Sequence, residues 1–218
     1  LGRFELPVPG AHNAANAAAA TALALEAGAS ADAARAALAR FAGVARRLQF
    51  RGEAAGVTFV DDYAHLPTEV AAAIAAGRAG GWRRVVAVFQ PHRYSRVSAL
   101  WRDFADAFLD ADVVVLTDVY AAGEAPRPGV TGKLLVDAVL DAHPRAVVAY
   151  LPHRADLVGY MAARARPGDV WLTLGAGDLT SVPDEVLPVL RDRVASSPLT
   201  EPAAVPAAVP ADEAGRGS

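Results

Sequence analysis

The chain is predicted to be an α/β protein with a doubly wound, mostly parallel sheet. Short β-branched runs alternate with longer alanine-rich stretches of helical pattern, giving five strand–helix units over 57–193. The runs Val85-Val86-Ala87-Val88-Phe89 and Val113-Val114-Val115-Leu116 are wholly apolar, as parallel strands buried on both faces are. Polar clusters fall directly after these runs, where open α/β sheets place their ligands.

In order, residues 1–10 suggest a short strand ending in the turn Val8-Pro9-Gly10. A helix over 12–26 is stopped by Gly28, and a second starts from Ser30, a good N-cap, and ends before Gly43. Two helices and one strand cannot close a core, so residues 1–45 are expected to be the end of a domain that begins upstream. Residues 46–195 form the α/β domain. Its strands are expected at 57–60, 85–89, 113–116, 146–150 and 170–174, with helices at 67–79, 98–109, 132–142, 155–165 and 183–193. The tandem Pro202-Ala203-Ala204-Val205-Pro206-Ala207-Ala208-Val209-Pro210 marks 196–218 as a flexible tail.

Composition narrows the function. Of 218 residues 53% are hydrophobic, enough for a core, although alanine inflates that share. A net charge of −3 without a dominant basic face argues against a nucleic-acid protein. With no cysteine there are no disulfides, thiolate metal sites or cysteine nucleophile, which fits a cytoplasmic protein. Residues 6–25 carry no Lys, Arg, Asp or Glu. They include two prolines, a glycine, a histidine and two asparagines, a poor membrane span, so no membrane insertion is expected.

The segment Gln90-Pro91-His92-Arg93-Tyr94-Ser95-Arg96 gathers a histidine, two arginines, a tyrosine and a serine after a strand. Arginine forks grip carboxylate or phosphate, so the cluster suits an anion, though a solvated arginine-rich loop has the same composition. Asp61-Asp62-Tyr63-Ala64-His65 ends another strand. Successive strand residues face opposite ways, so only one aspartate can enter a given crevice, to accept from a ribose or orient a cation. Pro67 and Glu69 suit the first turn of the following helix, a structural role. Asn13 and Asn16 share a helix face and can read a nucleobase edge, while N-terminal capping accounts for His12 or Asn13 but not Asn16. Arg46 and Arg47 lie at the domain seam; they can bind phosphate, but a solvated linker charge is the simpler account. Gly175-Ala176-Gly177-Asp178 follows the last strand, where glycines let the backbone approach a ligand, although G-x-G-x-x-G is absent. No G-x-x-x-x-G-K-[ST] occurs, and Lys133 is the only lysine. His143 and His153 are expected to be structural or exposed.

Taken together, the stretches 8–17, 41–48, 60–69, 89–96, 118–124 and 167–178 resemble the Mur ligases of peptidoglycan synthesis, over residues 1 to about 193. The resemblance implies the end of a central P-loop ATPase domain (1–45) followed by a C-terminal Rossmann-like domain. It further implies an ATP-dependent ligase joining L-alanine to UDP-N-acetylmuramate through an acyl phosphate. ATP would be met by His12, Asn13, Asn16, Arg47 and Asp62. Asp62, His65, His92, Arg93 and Arg96 would be catalytic, with Tyr63, Tyr94, Gly175 and Gly177 on the substrate side. Mg²⁺ ligands and the phosphate-binding lysine would lie upstream, with no metal ligand in this chain. In this picture Asp62 and His65, on a neighbouring strand end, form one wall of a cleft with the 90–96 cluster. The sequence departs from the family at Leu66, which replaces a second histidine and cannot donate or accept, and at Ala11, where a larger residue is common. A tripeptide-recycling murein peptide ligase shares much of the first two motifs. A non-catalytic nucleotide- or anion-binding module is the alternative of another class.

Overall fold

The computed structural model describes residues 1–8 and 10–196. The expected tail falls outside them, except for Ser196, which ends the last helix. Helices α1 (Ala11–Glu26) and α2 (Ala31–Ala39) come first. They are followed by β1 (Gln49–Ala54), β2 (Val57–Asp62), α3 (Pro67–Ala79), β3 (Arg84–Phe89) and α4 (Tyr94–Leu100). The chain continues through β4 (Val113–Leu116), α5 (Lys133–Ala142), β5 (Val148–Tyr150), α6 (Leu157–Arg164), β6 (Asp169–Leu174) and α7 (Val182–Ser196).

The six strands form one sheet in the order β1-β2-β6-β3-β4-β5, parallel throughout except for β1, which runs antiparallel to β2. The alternation of side chains splits the core in two. Val60, Ala87, Phe89, Leu116 and Leu172 pack under α3, α4 and α5 on one face. Phe59, Val86, Val88, Val115 and Trp171 pack under α6 and α7 on the other. β3 and β6 are neighbours, yet the helices that follow them lie on opposite faces. That makes the crevice beyond Phe89 and Leu174 the switch point of the sheet.

The doubly wound, mostly parallel sheet is as expected, and α3 and β4 match to the residue. Four expectations need correction. No strand forms over 1–8; the sheet edge beside β2 is taken by β1. β1 was not expected, because Gln49-Phe50-Arg51-Gly52-Glu53-Ala54 has no apolar run and lies at an exposed edge. The helix placed at 98–109 starts at Tyr94 and gives way to a 3₁₀ turn over Trp101–Phe104. Its early start reflects a tertiary cap, since Glu124 accepts from the Ser95 backbone N–H at 2.8 Å. Finally, β2 and β3 are not adjacent: β6 runs between them.

α1 and α2 add little core. Thr21 and Ala34 are their buried residues, and Leu23 is 72% exposed. Ser30 caps α2 as expected, its hydroxyl accepting from Ala33 N at 3.1 Å. Among the described residues no helix is long and apolar enough to cross a membrane.

Candidate active site at the carboxyl ends of the strands

Two regions that carry polar side chains meet near the carboxyl ends of β2, β6 and β3. The first is a cavity of about 650 Å³ between α1, α2 and α3. Its walls include His12, Asn13, Asn16, Ala17, Phe41, Val44, Arg47, Asp62, Thr68 and Glu69, a mainly apolar lining with a few convergent polar groups. Asn13 and Asn16 both lie on it, as their shared face requires. Gly10 occupies the N-cap of α1 at φ 103°, with no side-chain cap from that position. A Cβ on Gly10 would meet the His12 ring at 2.7 Å, so the tight start of α1 depends on glycine.

The two aspartates of β2 divide as strand alternation demands. Asp61, 1% exposed, faces the turn before α7 and accepts from Thr173 Oγ1 at 2.9 Å and Thr180 Oγ1 at 2.7 Å. Asp62, 4% exposed, faces the cavity and accepts from Leu48 N and Ala64 N, both at 2.8 Å. Burial raises the Asp62 pKa above the ordinary carboxylate value, opposed by those two N–H groups and by Arg47 and His12.

The seam arginines part company. Arg46 adopts φ 60° and acts as a bolt. It donates to Asp61 Oδ2 at 3.3 Å and Gly175 O at 2.6 Å, and its guanidinium lies 4.9 Å from the centroid of the Tyr63 ring. Arg47 turns to the cavity, 3.7 Å from Asp62 Oδ1 and 3.9 Å from Glu69 Oε1. Glu69 also supports the start of α3, accepting from His65 N at 3.0 Å and Leu66 N at 3.3 Å. Leu66 sits at the N-cap itself and returns no side-chain bond, so only half of a capping box forms.

The second region is the loop after β3. His92 forms a bridge to Tyr120 and stacks on its ring at 5.5 Å and 15°. Its ring lies 6.0 Å from that of His65, so the two histidines meet across the end of β6. Arg96 Nη1 is 3.1 Å from His92 Nδ1 and 3.2 Å from His92 O. The His92 pKa is lowered, first by burial and then by Arg96, His65 and Arg93, with Glu124 opposing. Arg93 holds φ 69° at the N-cap of α4, half-exposed, 4.0 Å from Glu124 Oε1. Tyr94 opens α4 and is half-buried.

Glu124 changes the reading of this cluster as an anion site. Its carboxylate accepts from Ser95 N at 2.8 Å and Ser95 Oγ at 2.5 Å, bonds that lower its pKa. The start of α4 thus already holds an internal anion. Gly175 and Gly177 likewise have a structural cause. A Cβ on Gly177 would lie 2.4 Å from Gln90 Oε1 and 2.7 Å from Tyr120 Cγ, and one on Gly175 would lie 3.1 Å from Gln90 O. Gln90, 5% exposed, ties β3 to this turn through Asp178 Oδ1 at 2.9 Å.

Gln90, Tyr120 and Glu124 were given no individual role from the sequence, and Arg46 only that of a seam charge that could bind phosphate. Their one signal was membership of short polar stretches; their partners lie up to 131 residues away along the chain. Of the other histidines, His143 pairs with Asp106 at 2.7 Å, a structural tie. Among the described residues no group of three or more His, Asp or Glu is arranged to hold a metal ion.

Comparison with known proteins agrees with this architecture. Residues 46–177 match the family model described as "Mur ligase, glutamate ligase domain". The chain is 52% identical over 190 residues to a UDP-N-acetylmuramate–L-alanine ligase of Anaeromyxobacter sp. (strain Fw109-5), covering 87% of this chain and 41% of that protein. It is 49% identical to the ligase of the same name from Myxococcus xanthus, covering 88% of this chain and 40% of the relative. The crystal structure of the UDP-N-acetylmuramate–alanine ligase MurC of Thermotoga maritima superposes with a TM-score of 0.72 at 26% identity, covering 88% of this chain and 41% of that one. A murein peptide ligase of Psychrobacter arcticus shares the fold, with a TM-score of 0.67 at 23% identity, covering 87% of this chain and 39% of that one. The chain therefore spans about two fifths of the length of the curated relatives it matches. With a parallel sheet of the right topology, polar clusters at its strand ends and a family match over 46–177, the chain belongs to the Mur ligase family.

Proposed function

We propose that this chain is the C-terminal part of a cytoplasmic, ATP-dependent ligase that joins L-alanine to UDP-N-acetylmuramate through an acyl phosphate. Residues 1–45 would close the ATP-binding domain and 46–195 would form the C-terminal ligase domain. One observation carries the proposal: the cavity lined by Asn13, Asn16, Arg47 and Asp62 lies beside the His65–His92 pair at the same sheet end. A nucleotide site and an amine-acceptor site must adjoin in such a reaction, because the amine attacks the carboxyl carbon that ATP has just phosphorylated.

Within this reading the asparagine amides present a donor and an acceptor to adenine, with His12 beside them. Asp62 accepts from a ribose hydroxyl, and Arg47, half-exposed and cationic, meets phosphate. His65, His92 and Arg93, with Tyr63, Tyr94 and the backbone at Gly175 and Gly177, face the amino acid and the tetrahedral intermediate, and Arg96 stands against the ring of His92. Cations around developing negative charge are the main catalytic resource of acyl-phosphate chemistry. Mg²⁺ would neutralise ATP phosphates, but the described residues offer no ligand set for it; its ligands would come from elsewhere in the longer protein.

The test is product formation by the longer protein with ATP, UDP-N-acetylmuramate and a panel of L-alanine, glycine, L-serine and the cell-wall tripeptide. One ADP per amide with L-alanine is expected. Product with the tripeptide alone would favour the recycling ligase, and nucleotide binding without any amide would favour a binding module.

A further inference from the structure

Two histidines face each other at the sheet end, and their partners differ in a way that fixes their protons. Arginine only donates hydrogen bonds. With Arg96 Nη1 3.1 Å from His92 Nδ1, that nitrogen must be the acceptor, and the neutral ring carries its hydrogen on Nε2. A carbonyl only accepts. With His65 Nδ1 3.0 Å from Tyr63 O and 3.4 Å from Glu69 Oε2, that nitrogen carries the hydrogen, and the lone pair of the neutral ring is on Nε2. Among the described residues neither Nε2 atom has a protein partner. Stacking on Tyr120 sets the His92 plane, and the edge of Tyr63, at 5.2 Å and 81°, sets that of His65.

We infer that Arg96 is a positioning residue: it and the Tyr63 carbonyl hold His92 and His65 as opposite tautomers, so the cleft receives one imidazole N–H and one imidazole lone pair. The inference rests on the reading above for its ligand, a zwitterionic α-amino acid. Such a ligand carries a group that only donates, the ammonium, and one that only accepts, the carboxylate. His65 Nε2 accepts from the ammonium and His92 Nε2–H donates to the carboxylate. When His65 takes the proton, an ammonium N–H bond breaks, its electron pair stays on nitrogen, and the amine becomes a nucleophile for the acyl phosphate carbon. Arg96 does not touch the amino acid in this scheme; it acts through the ring of His92.

The charge around the pair supports this division. His92 is faced by Arg96 and Arg93 from α4 and its cap, by His65 from the β2 loop, and by Glu124 and Tyr120 from the loop after β4. His65 is faced by Glu69, Tyr63 and His92. Burial first, and Arg96 second, lower the His92 pKa, and an N–H placed on Nδ1 would be opposed to the Arg96 guanidinium.

The test is long-range ¹H–¹⁵N correlation NMR of the imidazole nitrogens in this chain, about two pH units above the ordinary histidine pKa. Hydrogen on Nδ1 of His65 and on Nε2 of His92 is expected. Arg96→Leu should raise the His92 titration midpoint by at least about half a pH unit, while Arg96→Lys, which keeps the charge, should hold it low. A matching backbone amide spectrum shows that each variant is folded. Hydrogen on Nε2 of His65 or Nδ1 of His92, or an unmoved midpoint in folded Arg96→Leu, would overturn the inference. If Arg96→Leu does not fold, the tautomers of the parent chain decide alone. In the longer ligase Arg96→Leu should raise the KM for alanine several-fold with the KM for ATP unchanged, and Arg96→Lys should restore part of the loss. A longer protein that joins no amino acid would fell the functional reading and leave the tautomers standing. A reversed tautomer in an active ligase would fell this inference alone.

Discussion

Residues 1–45 and 46–196 satisfy their apolar surface in opposite ways. β3 alone buries Val85 through Phe89 completely, and two helical layers close over both faces of its sheet. α1, with 16 residues to the six of β3, has Thr21 as its buried residue and lines the cavity with His12, Asn13, Asn16, Ala17 and Ala20. The α/β body therefore carries the stability, and the helical pair contributes surface to the cavity. A cavity wall needs only to be held in place, whereas a sheet must be packed.

That contrast can be broken by mutation. Phe89 touches Phe104 and Phe108, with ring centroids 5.2 and 5.6 Å away, and is fully buried. Phe89→Ala should cost about 3–5 kcal/mol in urea unfolding of this chain, whereas Leu23→Ala on α1 should stay within about 0.5 kcal/mol. Equal losses would mean that α1 is as much a part of the core as β3.

The turn after β6 sharpens the same contrast at the site itself. Gly177→Ala must displace Gln90 Oε1 or the Tyr120 ring, since the new Cβ would lie 2.4 and 2.7 Å from them. A loss of about 1–3 kcal/mol is expected, with altered chemical shifts at His92. A change without cost would show that the glycine is kept for a ligand rather than for packing.

The smallest effect concerns pH. The His92 pKa is lower in the folded state, so below the ordinary histidine value of about 6.5 the unfolded chain binds more protons. Stability should therefore be lost as pH falls through that window toward the folded-state value. His92→Gln should flatten the curve between about pH 5 and 7. An unchanged slope would place the ring in a solvated setting.

Much of this fold was legible in the sequence, for definite reasons. α3 and β4 are bounded by strong local signals: Pro67 at the first helical turn, and the uninterrupted Val113–Leu116 run. β1 was not, because an edge strand needs no apolar run, and a partner chosen by pairing leaves little mark on composition. α4 began early because Glu124, from a distant loop, supplies the cap. At the site, the opposite facing of Asp61 and Asp62 follows from strand alternation alone. The divergence of Arg46 and Arg47 follows from a left-handed turn that no side chain announces. The 90–96 cluster was legible as polar and strand-terminal; that one of its helix-start positions already holds Glu124, and that Arg96 turns onto His92, are tertiary facts.

The central claim is that the cavity wall and the histidine pair serve different substrates of one ligase. Steady-state kinetics of the longer protein carrying Asn16→Ala or His92→Ala test it most directly. Losing one hydrogen-bonding side chain should raise the relevant KM by about three- to tenfold. Asn16→Ala should raise the KM for ATP and spare that for alanine, and His92→Ala should do the reverse. If both variants raise the KM for ATP, or neither moves either constant, the two regions do not divide the reaction in this way.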